Sequence, residues 1–554
     1  MTTTYPGNLI EKAPSAYAYP LLIKQLLHAP LAINPEQEIV YRDIKRYNYW
    51  TLGQRIGQLA TALSTLGVEH GDTVAVMDWD SHRYLECYFA VPMMGAVLMT
   101  TNVRLSPDQI LYTLNHCGAK VLLVNSEFLP VLDSIRDKLE TVQKFVLLHD
   151  VPGELAPPLG FDAEYEALLH GKSPDFEFHD FDENTRATTF YTSGTTGLPK
   201  GVFFSHRQLV LHTLALSAAL GGPAAQGRLH RDDVYMPITP MFHVHAWGLP
   251  FVATSMCLKQ VYPGRYTPDT LLALIKREKV TFSHCVPTIM HMLLGSPVSH
   301  DIDLRGWKVI IGGSALPKGL AQVALGRGID VFTGYGMSET CPILSLAQLK
   351  TELQGDQARE LDYRTKAGLP VPLVNLRVVG DNMREVPHDG KAAGEIVVRA
   401  PWLTQGYYRN PEASEALWEG GYLHTNDIGV IDSEGYLTIT DRIKDVIKTG
   451  GEWVSSLELE DVISRHPAVS ESAVIGVKDA KWGERPMVLV VLKEGHDDTA
   501  DRKALREHVK DYAERGLISK FAVPDKVIFV KSLEKTSVGK MNKKLLRELY
   551  QDAE

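Results

Sequence analysis

Ten consecutive positions, Thr192 to Gly201, carry four hydroxyls (Thr192, Ser193, Thr195, Thr196), three glycines (Gly194, Gly197, Gly201) and one ammonium (Lys200). Glycines let backbone N–H groups turn inward around an anion, and hydroxyls with an ammonium saturate phosphate oxygens. The combination suits a polyphosphate. Its spacing is not that of G-x-x-x-x-G-K-[ST], because Lys200 stands three residues after Gly197 and is followed by Gly201. A flexible surface turn would have a similar composition. Apolar residues on both sides, Phe190-Tyr191 and Val202-Phe203-Phe204, instead predict a nucleotide loop between two strands.

Four further segments pair reactive side chains with pliable backbone. In Gly334-Tyr-Gly-Met-Ser-Glu-Thr340 the two glycines predict an exposed Tyr335, open to stacking on a base or ring. Glu339 in the same segment is a hard oxygen ligand suited to Mg²⁺ on phosphates; a tight turn with a surface acid is the alternative. Met241-Phe-His-Val-His-Ala-Trp-Gly248 sets His243 and His245 in an apolar stretch. They could bind metal, although no Cys or acid lies at a helpful spacing; they could be core histidines with satisfied nitrogens; or His243 could sit near a reacting carboxylate in an apolar pocket. His424-Thr-Asn-Asp-Ile-Gly429 offers Asp427 either to ribose hydroxyls or to an Asx turn. Asp441-Arg-Ile-Lys-Asp-Val-Ile-Lys448, followed by Gly450-Gly451, reads as a charged linker or a hinge. Ser537-Val-Gly-Lys540 holds a lysine that carries no signal by itself.

These segments need an alternating framework to position them. Leu52, Ile56, Leu59, Leu63 and Leu66 form one helical stripe closed by Gly67, and Asp72–Met77 reads as a buried strand. Ser106-Pro-Asp-Gln109 resembles a capping box with Pro at its first helical position, running to Gly118 before the strand Lys120–Val124. Thr267-Pro-Asp starts another helix, followed by a strand at Val280–Phe282. Val309–Ile311, Asp330–Phe332, Glu395–Val398 and Tyr436–Ile439 complete the strand candidates. Alternation of this kind predicts α/β architecture. A boundary is expected between Thr440 and Ile447, after which about 110 residues form a small second domain.

Composition sets the remaining bounds. A chain of 554 residues needs two or more cores. A net charge of −10 argues against nucleic acid as a main partner, although residues 501–554 hold 13 Lys/Arg against 9 Asp/Glu. That tail is either a set of solvated helix faces or a neighbour of a phosphate-rich ligand. Cys87, Cys257 and Cys285 sit among apolar residues and predict buried thiols. The first residues lack a signal-peptide pattern and no apolar run reaches membrane-spanning length, so a cytoplasmic protein without a transmembrane segment is expected.

Taken in order, the motifs resemble the acyl-adenylate-forming superfamily of acyl-CoA synthetases, peptide-synthetase adenylation domains and beetle luciferases. The resemblance runs from about Thr51 to Leu546 and is strongest to medium- and long-chain fatty acyl-CoA ligases, through Gly334–Glu339, Met241–Val244 and Ile447-Lys-Thr-Gly-Gly-Glu-Trp-Val-Ser455. It implies a large N-terminal domain (residues 1–441) of α/β subdomains with mixed sheets, a hinge at 442–446 and a mobile α+β C-terminal domain at 447–554. It also implies a reaction in two steps. A carboxylate attacks the α-phosphorus of Mg·ATP, and the thiol of coenzyme A then displaces AMP.

By the same resemblance, Thr192, Ser193, Gly194, Thr195, Thr196 and Lys200 hold the β- and γ-phosphates, and Glu339 with Thr195 holds Mg²⁺. Tyr335 stacks near adenine with Gly313 and Ser314 lining the same pocket, Gly336 and Ser338 also contact ATP or AMP, and Asp427 and Arg442 take the ribose. Lys540 bridges carboxylate and α-phosphate, Lys444 is the hinge and Gly450-Gly451 the thioester-forming loop. His243, Val244 and Trp247 border the acyl pocket, with His243 beside the chemistry. Three positions depart from the pattern: Asn426 replaces a glycine, Glu534 a proline, and His245 is an added imidazole. Asn tolerates the left-handed region, so Asp427 is expected to keep its place.

A medium-chain fatty acid is the favoured substrate, with short branched, thioether or aryl acids as alternatives; a homodimer is left open. Rival readings are a phosphotransferase releasing ADP, a non-catalytic acyl-nucleotide binder, a carrier-protein ligase and, least of all, a luciferase-like oxidase.

Overall fold

The computed structural model describes residues 10–150, 160–192, 198–449, 452–479, 481–493, 495–496, 498–536 and 541–551. Ser193, Gly194, Thr195, Thr196, Gly450, Gly451 and Lys540 lie outside these residues.

Two large sheets form most of the N-terminal domain. In the nine-stranded sheet the central strands Asp330–Gly336, Lys308–Ile311, Phe282–Cys285, Val234–Pro237, Lys259–Tyr262 and Glu38–Tyr41 run parallel. Antiparallel strands close both edges: Ile343–Leu346 and Leu369–Pro370 on one side, Lys45–Asn48 on the other. The seven-stranded sheet is parallel through Ala163–Glu164, Lys144–Leu148, Ala119–Asn125, Thr73–Met77, Val97–Thr100 and Arg186–Tyr191. It ends in an antiparallel hairpin with Gly201–Ser205. A four-stranded antiparallel sheet follows, built from Asn375–Val379, Gly394–Arg399, Leu423–Ile431 and Leu437–Arg442.

Local chemistry explains the helix ends. Helix Pro107–Cys117 begins at the Ser106–Gln109 capping box and stops at Gly118 in the left-handed region (φ 70°). Helix Pro268–Glu278 repeats this start, with Thr270 in the reciprocal position to Thr267. The leucine stripe predicted from Leu52 onward forms helix Tyr49–Thr65, capped by the Asn48 side chain. The strand expected at Val280–Phe282 instead occupies Phe282–Cys285. Lys279 ends the preceding helix in a left-handed conformation (φ 56°), which delays strand pairing.

The small C-terminal domain has its own core, including Ile447, Leu459, Val474, Val488, Leu505 and Val527. Its sheet joins Glu452–Val454, Ile447–Thr449, Gly483–Leu492 and Val469–Asp479, with Lys526–Phe529 parallel to Gly483–Leu492. Strand Leu437–Arg442 extends into the charged run at 441–445 before this second sheet begins. Asp441 Oδ2 accepts from Ser456 N at 2.6 Å, and Lys543 Nζ donates to Ser456 Oγ at 2.6 Å. Arg547 pairs with Asp445 at 2.6 Å. All five cysteines are free and buried, extending the expectation for three of them to Cys117 and Cys341. No helix among the described residues is long and apolar enough to cross a membrane.

Candidate functional site

The parallel strands deliver the motif segments at their carboxyl ends, where open α/β sheets leave their crevices. A narrow cleft, with room for about 20 Å³, is lined by His243, Val244, Trp247, Gly313, Gly336 and Ser338, among other residues. Ser314 is exposed and does not belong to this lining.

The phosphate-type loop springs from the hairpin Arg186–Tyr191/Gly201–Ser205, as its flanking residues predict. Thr192 N donates to Lys200 O at 3.0 Å and closes the loop base. Lys200 extends over the Tyr407 ring, 4.6 Å from its centroid, and Tyr407 Oη donates to Glu339 Oε1 at 2.7 Å. Tyr408 N in turn donates to Gly201 O at 2.8 Å. Tyr407 therefore joins the loop to Glu339. Burial pushes its phenol well above the usual range, with the Glu339 carboxylate adding to the effect. No sequence signal singled it out, because Gly406-Tyr-Tyr408 reads as an ordinary turn.

Tyr335 is not exposed; it retains 7% of its surface. The glycines around it serve close strand approach. A Cβ on Gly336 would sit 1.8 Å from Pro342 O, and one on Gly334 would meet Ile310 Cγ2 at 2.7 Å. Tyr335 Oη donates to Asp427 Oδ2 at 2.8 Å, and Arg442 Nε reaches Asp427 Oδ1 at 3.2 Å. Asp427 and Arg442 are register partners in the antiparallel sheet. Asn426 adopts φ 58°, the conformation that lets Asn stand in for glycine. Lys444 is exposed beside this group, and desolvation, then the nearby Arg442 charge, lowers its ammonium below the ordinary range.

The segment after strand Val234–Pro237 has an unusual backbone. Val244, His245, Ala246 and Trp247 all have positive φ, between 47° and 59°, and Gly248 follows at 74°. Left-handed backbone costs about 1–2 kcal/mol per non-glycine residue, on the order of 4–8 kcal/mol for this turn. Surroundings that over-determine the shape must offset it. His245 is fully buried among Tyr88, Phe190, Phe204 and Phe251, and burial lowers its pKa to about 3. Neither ring nitrogen has a partner among the described residues, so this is a core histidine without the satisfied nitrogens expected of one. Its neighbour His243 is partly exposed on the cleft wall. Trp247 packs on His284 at 5.0 Å and presses on Gly312, where a Cβ would lie 2.9 Å from its ring.

Among the described residues no group of three His, Cys, Asp or Glu side chains is placed to hold a metal ion. Glu339, a carboxylate joined to the loop base through Tyr407, is a donor of the hard-oxygen type that suits Mg²⁺ shared with phosphates. On the two described flanks of the C-terminal motif, Lys535 and Met541 form an antiparallel backbone bridge and Asn542 N donates to Glu534 O at 2.9 Å.

Comparison with known proteins places these features in a group. Residues 28–408 match the AMP-binding enzyme family, and residues 458–540 match the AMP-binding enzyme C-terminal domain. A long-chain-fatty-acid–CoA ligase of Thermus thermophilus is 41% identical over 534 residues, covering 95% of each chain. A 3-methylmercaptopropionyl-CoA ligase of Ruegeria lacuscaerulensis is 36% identical over 553 residues, 96% of this chain and 98% of the relative. The crystal structure of the anthranilate CoA ligase AuaEII in complex with anthranoyl-AMP superposes with a TM-score of 0.83 at 25% identity, over 96% and 98% of the two chains.

Proposed function

This chain belongs to the AMP-binding enzyme family, and from that premise we propose that it is an ATP-dependent, AMP-forming acyl-CoA ligase acting on a medium-chain fatty acid. The observation that carries the reading is the joining of three distant motifs around one cleft. Tyr407 ties the Lys200 loop to Glu339, and Tyr335 lies between the cleft-lining Gly334 and Gly336 while holding Asp427.

In this reading Lys200 and the loop from Thr192 bind the β- and γ-phosphates, and Asp427 with Arg442 accepts and orients the ribose. The exposed-stacking role expected for Tyr335 becomes a packing role: its buried ring backs the adenine pocket and its phenol fixes the Asp427 carboxylate. Glu339 and Thr195 would hold Mg²⁺, which supplies positive charge where two anions must meet. A carboxylate approaching a triphosphate is repelled, so a further cation at the point of attack lowers the barrier; Lys540 is assigned that role. His243 faces the same cleft and offers a hydrogen bond to the reacting carboxylate. Adenylation leaves an acyl-AMP, which the CoA thiol then opens with loss of AMP. Lys444, within a hinge at 442–446, and Gly450-Gly451 are assigned to the domain rotation that exchanges the two nucleophiles.

The wall of Val244 and Trp247 is apolar and buried, which favours an alkyl chain over a polar acid. The relatives act on a long-chain fatty acid and on a thioether acid by their names, so short branched, thioether and aryl acids form the second reading. The test is pyrophosphate release from Mg·ATP with straight acids from acetate to palmitate, with and without CoA. A maximum at intermediate length that needs CoA for turnover is expected. ADP in place of pyrophosphate, or no product with any acid, refutes the proposal.

A further inference from the structure

The strained turn at 244–247 is held at its N-terminal side by the neighbouring sheet. Asp80, three residues past strand Thr73–Met77, accepts from Met241 N at 2.7 Å with 3% of its surface exposed. Tyr88, in helix His82–Met93, donates to Met241 O. Thr100, the last residue of strand Val97–Thr100, donates to Phe242 O at 3.0 Å. Arg104 lies over the Phe242 ring, 5.9 Å from its centroid. Asp80 O also accepts from Gly264 N at 2.8 Å, which fixes Asp80 to the loop after strand Lys259–Tyr262. Tyr88 serves twice, since its ring also stacks on Phe251 and closes the cage around His245.

These contacts all converge on Met241 and Phe242, immediately before His243 and the left-handed residues. A turn that costs energy at each residue relaxes when one end is released. We propose that Asp80 is a positioning residue for acyl-group recognition: through the Met241 amide it holds the left-handed turn that presents His243, Val244 and Trp247 to the cleft. The inference rests on reading that cleft as the acyl site. It assigns the Asp80 carboxyl to the acid half of the reaction and leaves the nucleotide half, built on Lys200, Glu339 and Asp427, untouched.

The surroundings of Asp80 give the contact a pH dependence. Its carboxyl faces Asp78 and Arg104, and the phenols of Tyr84, Tyr88, Tyr235, Tyr262 and Tyr266. Burial, only partly offset by the Met241 hydrogen bond and Arg104, pushes its pKa up to about 8. Below that pH the group is a neutral acid that still accepts from Met241 N. The ion accepts from Met241 N more strongly, but its burial costs more than that bond returns, so the closed clamp loses its advantage over an opened, hydrated carboxylate as pH rises through about 8.

Three variants test this: Asp80→Ala removes the acceptor, Asp80→Asn keeps an oxygen acceptor without a titrating group, and Thr100→Val removes the adjacent donor. Asp80→Ala is expected to raise KM for the preferred acid about tenfold, the effect of a lost buried hydrogen bond, with KM for ATP changed less than twofold. It should also quicken amide hydrogen exchange across 241–248 about tenfold. Thr100→Val should move both in the same direction by a smaller factor. The wild-type KM for the acid should rise between pH 7 and 9, and Asp80→Asn should flatten that rise.

Equal rises in KM for acid and ATP overturn the assignment, as does a pH profile in Asp80→Asn identical to the wild type. Should Asp80→Ala fail to fold, Thr100→Val and Asp80→Asn decide on the same readouts. The exchange measurement needs no substrate. Faster exchange in an enzyme that releases no pyrophosphate would therefore refute the ligase reading, and unchanged exchange would refute the clamp.

Discussion

Replacing Asp427 by Asn isolates one functional group of the proposed nucleotide site. The amide has nearly the same volume, and its oxygen can still accept from Tyr335 Oη, which lies 2.8 Å from Oδ2. The ion pair with Arg442 is a small loss. That guanidinium is 47% exposed, so the contact at 3.2 Å contributes no more than about 1 kcal/mol. Each ribose hydroxyl donating to the carboxylate is worth about 1.5–3 kcal/mol, roughly twice its worth to a neutral amide. With two hydroxyls, the substitution should cost about 1.5–3 kcal/mol of nucleotide recognition, a fall of about 10–150-fold in kcat/KM for ATP. Steady-state pyrophosphate release measures this with ATP and with 2′-deoxy-ATP. The wild type should strongly prefer ATP, and Asp427→Asn should lose most of that preference, because the two changes remove portions of one interaction. The same ratio of ATP to 2′-deoxy-ATP in both proteins would show that Asp427 does not touch the ribose. The melting temperature, which depends on packing that the substitution leaves alone, should move by only a few degrees.

Lys540→Ala should abolish acyl-AMP formation and largely spare thioester formation from supplied acyl-AMP; equal loss of both half-reactions, measured separately, would remove its assigned role. Trp247→Ala should open the buried cleft wall and move the preferred acid toward longer chains, and an unchanged chain-length profile would exclude it from the pocket. Gly336→Ala should push apart the strand pair it sits in, because its Cβ would lie 1.8 Å from a backbone carbonyl oxygen. That is expected to cost at least about 1–3 kcal/mol and to lower the melting temperature with and without ATP; an unmoved melting curve would contradict the packing.

Much of the framework was legible in the chain because its signals are local. The Ser106–Gln109 box, the Thr267 start and the leucine stripe before Gly67 depend on neighbours within one or two turns, and each yields a helix. The strands flanking the Thr192–Gly201 run were legible from its apolar neighbours, and the left-handed Asn426 agrees with what its side chain permits. Asp427 and Arg442 could be named from motifs, although their pairing needs the register of two strands.

Other features depend on contacts between residues far apart in sequence. Tyr335 looked exposed because glycines flank it; the strand Ile343–Leu346 packs so near that glycine is required, and the ring is buried instead. Tyr407 acquires its place only when Glu339 and Lys200 meet it, and Asp80 only when one sheet reaches across to the loop of another. His245 could be read as a metal ligand, a core residue or a pocket wall until four aromatic side chains enclosed it. By itself the sequence determined which groups could do the chemistry, because residue type and short spacing carry that information. Tertiary structure alone decided which of them meet, which are buried and which backbone strain is held in place, because those are sums over contacts that no local window contains.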